Sequence, residues 1–107
     1  MTLNRFKQVC EDNGLTVIVN PTFKKESTYA RAFYKNEVVA VYDSGRMYCY
    51  NRPHTFRYNN KTMMIDNGES TNVYSTSELE ENIVQTIGRL KIIFIRIKKF
   101  EIEKEFE

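Results

Sequence analysis

A chain of 107 residues, 41% hydrophobic and 28% charged, has the length of one domain and the composition of an ordinary soluble globular protein. A domain of this size buries less than about 70% of the surface its unfolded chain exposes, which leaves little room for both a core and a deep catalytic cleft and favours a binding module over an enzyme. The formal charge of +2 is uneven: nine Lys or Arg against five Asp or Glu through Asn60, then seven against nine from Lys61 onward, a milder bias than the dense basic patch of a dedicated nucleic-acid binder.

The first residues predict a short helix. Thr2 suits the N-cap, Leu3, Phe6, Val9 and Cys10 recur at helical spacing, and the pair Asn13 and Gly14 supplies a left-handed C-cap. Residues 15–19, "LTVIV", follow as a strand closed by Asn20 and Pro21.

From Thr28 the period changes to two. "TYARAFYK" and "EVVAVYD" flank a turn at Asn36, and Asp43, Ser44 and Gly45 fit a three-to-four-residue hairpin loop with glycine at positive φ. Strands over 28–35, 37–42 and 46–51 therefore form an antiparallel meander. Beyond Pro53, "HTFRY" and "TMMI" flank "NNK" and predict a second hairpin over 55–65. Pro53 lacks a ladder N–H, so it marks a break or an edge. The polar run 69–77, "ESTNVYSTS", reads as a loop.

Ser75 with Glu78, and Ser77 with Glu80, fit capping boxes that open a last helix. Leu79, Ile83, Ile87, Leu90, Phe94 and Ile97 make one continuous helical stripe. The β-branched run "KIIFIRIK" and Gly88, which costs a helix interior about 1 kcal/mol relative to Ala, support the alternative of a helix ending near Gly88 and then a strand. One long helix is the reading adopted. It carries a second apolar stripe of Ile92, Ile95, Ile102 and Phe106, more than a small sheet covers, which points to a partner or a homodimer. Acidic Glu78 to Glu81, basic Arg89 to Lys99 and acidic Glu101 to Glu107 allow antiparallel self-pairing.

Chemistry-bearing patterns are sparse. Cys10 and Cys49 have no CxxC spacing and no histidine neighbour, so they read as free thiols buried in the core, with a disulfide as the alternative. His54 is the single histidine, without a visible nucleophile or orienting carboxylate. No phosphate loop, zinc spacing or calcium loop is present, so neither catalysis, a cofactor nor a metal is expected. With no signal-peptide pattern and no apolar run of 18 residues, the expected place is a reducing cytoplasm, away from membranes.

The stretch "RMYCYNRPHTFRYNN", residues 46–60, carries the candidate site. If extended throughout, it points Arg46, Tyr48, Tyr50, Arg52, His54, Phe56 and Tyr58 one way. Such a surface stacks bases on its tyrosines and holds phosphates with Arg46, Arg52 and Arg57, or it meets a protein through Tyr and Arg hot spots. In the purely structural alternative, Tyr48 and Tyr50 pack beneath a helix with the arginines over their rims. Met47 and Cys49 take the opposite face, and covering of both faces, one by each helix or one by a partner, is compatible with the pattern.

The sequence expectation is thus a single α+β domain over 1–107, with a short N-terminal helix, an antiparallel sheet of about four to six strands (meander plus hairpin) and a long C-terminal helix. In its Asn, Lys, Ile and Tyr bias, its lack of Trp, and stretches such as "YKNEVVAVYDSGRMYCY" and "ELEENIVQTIGRLKIIFIRIKK", the chain resembles accessory proteins of phages and mobile elements of low-GC Gram-positive bacteria, in the style of anti-CRISPR proteins. That resemblance implies a small inhibitor occupying a host protein, for example a CRISPR nuclease or a replication or repair enzyme. Such proteins share no active site, so it assigns no residues. Arg46, Tyr48, Tyr50, Arg52, His54, Arg57 and Tyr58 are the expected partner contacts, with single-stranded nucleic acid as the alternative partner.

Overall fold

Thr2 opens the first helix as expected: its Oγ1 accepts the Arg5 backbone N–H at 3.2 Å, and Gly14 at φ +84° lets the chain leave. The computed structural model describes residues 2–21, 28–59 and 61–106. Asn60 and Glu107, assigned from the sequence to a hairpin turn and an acidic tail, lie outside the described residues. The elements in chain order are α1 (Leu3–Asp12), β1 (Thr16–Pro21), β2 (Thr28–Tyr34), β3 (Glu37–Asp43), β4 (Arg46–Cys49), β5 (His54–Tyr58), β6 (Thr62–Asp66), β7 (Thr71–Val73) and α2 (Thr76–Glu105). This is an α+β fold. No helix among the described residues is long and apolar enough to cross a membrane.

The meander forms with short turns. Lys35 and Asn36 both take positive φ, as do Ser44 and Gly45, so each hairpin closes with two residues whose twist matches the flanking strands. The turn after Asp43 is therefore tighter than the loop expected from the sequence. β1 extends through Asn20 and Pro21, which pair with Tyr29 and Thr28. The polar run 69–77 is not all loop, because Thr71, Asn72 and Val73 pair with Cys49, Tyr48 and Met47. The sheet order is β1-β2-β3-β4-β7, and β5 and β6 make a separate two-stranded sheet.

Both helices lie against one face of the five-stranded sheet. Two cross-strand rows look into that layer: Val19, Ala30, Tyr42, Met47 and Val73, and Val17, Ala32, Ala40, Cys49 and Thr71. The three alanines are fully buried and let the helices approach the backbone closely. Phe6, Val9 and Cys10 of α1 and Leu79, Ile83, Leu90 and Ile93 of α2 complete the core. Burial pushes both the Cys10 and the Cys49 thiol up to about 12, and both are free.

α2 runs unbroken through Gly88 for 30 residues, and Leu90, Ile93 and Ile97 carry the buried stripe onward. Continued packing outweighs the β preference of the local sequence. Ser75 caps it, with Oγ accepting the Glu78 N–H at 3.2 Å, and the Glu78 carboxylate accepts from the Tyr74 N–H at 3.4 Å.

The β5–β6 hairpin leans on the C-terminal half of α2. Ile65 packs against the core, the Arg57 guanidinium lies 5.1 Å from the Phe100 ring centroid, and Lys104 Nζ donates to the Lys61 carbonyl. Asn51 ties β4 to the rest: it donates to Asn82 Oδ1 at 2.7 Å, accepts from Thr71 Oγ1 at 3.1 Å, and its carbonyl accepts from Arg89.

Gly68 closes the hairpin's base at φ +74°, where an added Cβ would stand 2.5 Å from the Arg52 carbonyl oxygen. Gly68→Ala is expected to cost more than the about 1–2 kcal/mol that positive φ alone imposes, because backbone must move. Gly45→Ala, with nothing within 4 Å of the new Cβ, should show only the conformational part. Equal losses for the two variants in urea titrations would refute the close approach to Arg52.

Candidate functional site

Strand alternation and one-sided helix packing together leave the second face of the five-stranded sheet without a described element on it. Antiparallel sheets commonly pack one face and leave the other accessible. Here that other face is not simply polar. One row across it reads Ile18, Arg31, Val41, Tyr48 and Asn72, and the next reads Asn20, Tyr29, Asp43 and Arg46. Phe33 and Tyr50 extend the same face.

The surface has its own local packing. Val41, between Arg31 and Tyr48 in the row, is 1% exposed, while Tyr29, Arg31, Phe33, Tyr48 and Tyr50 are half-buried. Tyr48 meets Tyr50 edge-on at 5.9 Å between centroids. Burial, followed by the neighbouring Tyr29 and Tyr50, pushes the Tyr48 phenol up to about 12, and its hydroxyl is hydrogen-bonded to Tyr29. It therefore stays neutral and fixed in place across the physiological range.

Arg31 is the unusual member. Its guanidinium stacks 5.3 Å from the Phe33 centroid, and its Nε is buried with no hydrogen-bond partner among the described residues. A buried guanidinium donor left unpaired is destabilising, so it calls for an acceptor. At the edge of this face, Arg46, Asn72 and Tyr74 help line a groove of about 390 Å³.

The structure divides the seven residues expected to act together. Arg46, Tyr48 and Tyr50 do share the open face, away from Met47 and Cys49. The helices cover the opposite side, so Tyr48 and Tyr50 do not lie beneath a helix, nor do the helices cover one face each. β4 ends at Cys49, and Arg52 stands exposed in the link to the hairpin. His54 and Tyr58 lie on the hairpin's solvent face with Phe56 and Met64, and His54 Nε2 is 3.8 Å from Asp66 Oδ2, an exposed pair worth little. Arg57 points the other way, onto Phe100. The single extended surface over residues 46–58 is thus a correction: the break at residues 50–53 interrupts the alternation. Ile92, Ile95, Ile102 and Phe106 are all exposed, on the side of α2 away from the sheet.

Reading residues 46–60 alone missed Tyr29, Arg31 and Phe33, which β2 places on the same face. Their signal was present in "TYARAF": large residues alternate with Ala30 and Ala32, and paired small residues mark the side on which a helix comes close.

Neither models of known families, nor curated proteins, nor solved structures give a match to this chain.

Proposed function

We propose that this is a non-catalytic binding protein that covers a functional surface of a protein target with the open face of its sheet. In line with the sequence resemblance, the target is a host defence or DNA-processing protein and the mode of action is that of a phage-type inhibitor. The observation that carries the reading is the combination, on a face with no described element over it, of Tyr29, Phe33, Tyr48 and Tyr50 with Arg31, whose Nε has no acceptor among the described residues. Aromatic and arginine side chains held in place before binding are what interface hot spots are built from. Two guanidinium groups, Arg31 and Arg46, stand against the Asp43 carboxylate on this face, a balance that suits a protein carboxylate or carbonyl better than a phosphate backbone.

The test has two arms. Labelled single- and double-stranded DNA and RNA are titrated at about 50 and 200 mM salt, where phosphate-driven binding falls by orders of magnitude. In parallel, a target captured from a low-GC Gram-positive lysate is purified and titrated with the wild type and with Tyr50→Ala. The expected result is no tight nucleic-acid binding and a loss above about 1 kcal/mol for Tyr50→Ala. Submicromolar, steeply salt-dependent binding of single strands would instead make the face a base-stacking platform.

A further inference from the structure

We propose that α2 pairs antiparallel with α2 of a second copy of this chain, the two helices crossing at Gly88. The surface involved points away from the sheet, so the inference stands apart from the reading of the open face.

At about 100° per residue, Val84, Gly88, Ile95, Ile102 and Phe106 fall on one narrow stripe, diametrically opposite the buried Thr86, Leu90 and Ile93, with Ile92 beside it. The large apolar residues of this stripe are 48–85% exposed. No described element touches this side of the helix, and the stripe is about 33 Å long at 1.5 Å per residue.

Gly88 supplies the second observation. It is helical and exposed, and a Cβ placed on it meets nothing within 4 Å. Nothing among the described residues asks for the poorest helix former short of proline in mid-helix. A second backbone approaching closely does, since that is what the missing side chain permits.

Charge then fixes the orientation and the register. In an antiparallel pair crossing at Gly88, positions equally far to either side meet. Glu80 lies eight residues before Gly88 and Arg96 eight after; Glu78 and Lys98 stand ten to either side; Val84 and Ile92 stand four to either side. On one flank of the stripe Glu80 is offset by about 3 Å along the axis from the level of Lys98 of the other copy, and on the other flank Glu81 by about 6 Å from that of Lys99, gaps that these long side chains span. Each of these residues is exposed. The same register brings Ile102 level with Tyr74 of the other copy, itself 80% exposed. Parallel pairing sets the Lys98 and Lys99 pair against the same pair of the other copy, and so does an antiparallel register centred between Ile95 and Ile102. Of these three arrangements, the crossing at Gly88 alone sets Val84 level with Ile92 and brings unlike charges to both flanks.

Sedimentation velocity on the full chain over a concentration series to about 100 µM tests this, with dissociation constants read from the dimer fraction. The wild type is expected to dimerise. Glu80→Lys with Glu81→Lys, and separately Lys98→Glu with Lys99→Glu, should each weaken self-association at least about tenfold, and an equimolar mixture of the two double variants should recover it as a heterodimer. Gly88→Gln should also weaken the dimer at least about tenfold while raising the melting temperature of dilute, monomeric protein by about 5 °C, since glutamine favours helix. A strict monomer throughout the series overturns the proposal. A dimer indifferent to all variants sits on another surface and overturns it too. Weakening by both double variants without recovery on mixing rejects the antiparallel register.

Discussion

Phe6→Ala is expected to lower unfolding free energy by about 3–5 kcal/mol, the range for removing a buried aromatic ring. Phe6 is fully buried, and its ring meets Tyr42 at 5.6 Å, tilted by 41°. α1 spans only ten residues and sends three of them, Phe6, Val9 and Cys10, fully into the core. A helix this short is marginal by itself, so its docking depends on those contacts. Against a typical total stability of about 5–15 kcal/mol the loss is large. Urea unfolding followed by circular dichroism reads it out. Phe106→Ala removes the same ring from a site 85% exposed, and at concentrations below self-association it should change stability by no more than about 0.5 kcal/mol. A Phe6→Ala loss below about 1 kcal/mol would mean that α1 is not part of the cooperative core.

Arg31→Met should separate stability from function. Methionine keeps most of the length of the side chain and its contact with Phe33, and it removes the buried Nε that has no acceptor among the described residues. Replacing an unsatisfied buried polar group with an apolar one of similar shape is neutral to stabilising, so the melting temperature should hold or rise. If the open face docks a target that supplies the missing acceptor, the same change should cost at least about 2 kcal/mol of binding, roughly thirtyfold in dissociation constant. Calorimetric titration of the purified target with both proteins measures it. Unchanged affinity would remove Arg31 from the interface, and a large loss of stability would show that the guanidinium is structural after all.

Much of the fold was legible because local signals agreed with each other. Thr2, the Asn13 and Gly14 pair, the Ser44 and Gly45 turn and the Ser75 cap each act within a few residues, and each stands where local chemistry put it. β7 was hidden because its only apolar residue is Val73, and its partner strand lies more than 20 residues earlier. The candidate site was half legible. Alternation put Arg46, Tyr48 and Tyr50 on one face, yet it carried no information about which face the helices would choose. That choice was written in Ala30, Ala32 and Ala40, small residues whose meaning depends on what packs above them. Extending the alternation past Tyr50 failed because Asn51 turns its side chain to Asn82 and Thr71 and its carbonyl to Arg89, so the chain there serves the α2 junction rather than a strand.

The placement of both helices on one side of the sheet has a consequence for valency. The outer side of α2 and the open sheet face point in opposite directions, with the core between them. Two chains joined along α2 would therefore display their sheet faces back to back, outward and unobstructed. Such a particle would not grip one target site twice; it would bridge two target molecules, or two subunits of one assembly. On a multisubunit target the second contact becomes intramolecular, and modest single-site affinity is multiplied by effective concentration. Avidity of that kind would let a chain of 107 residues hold a far larger assembly with a small contact at each end.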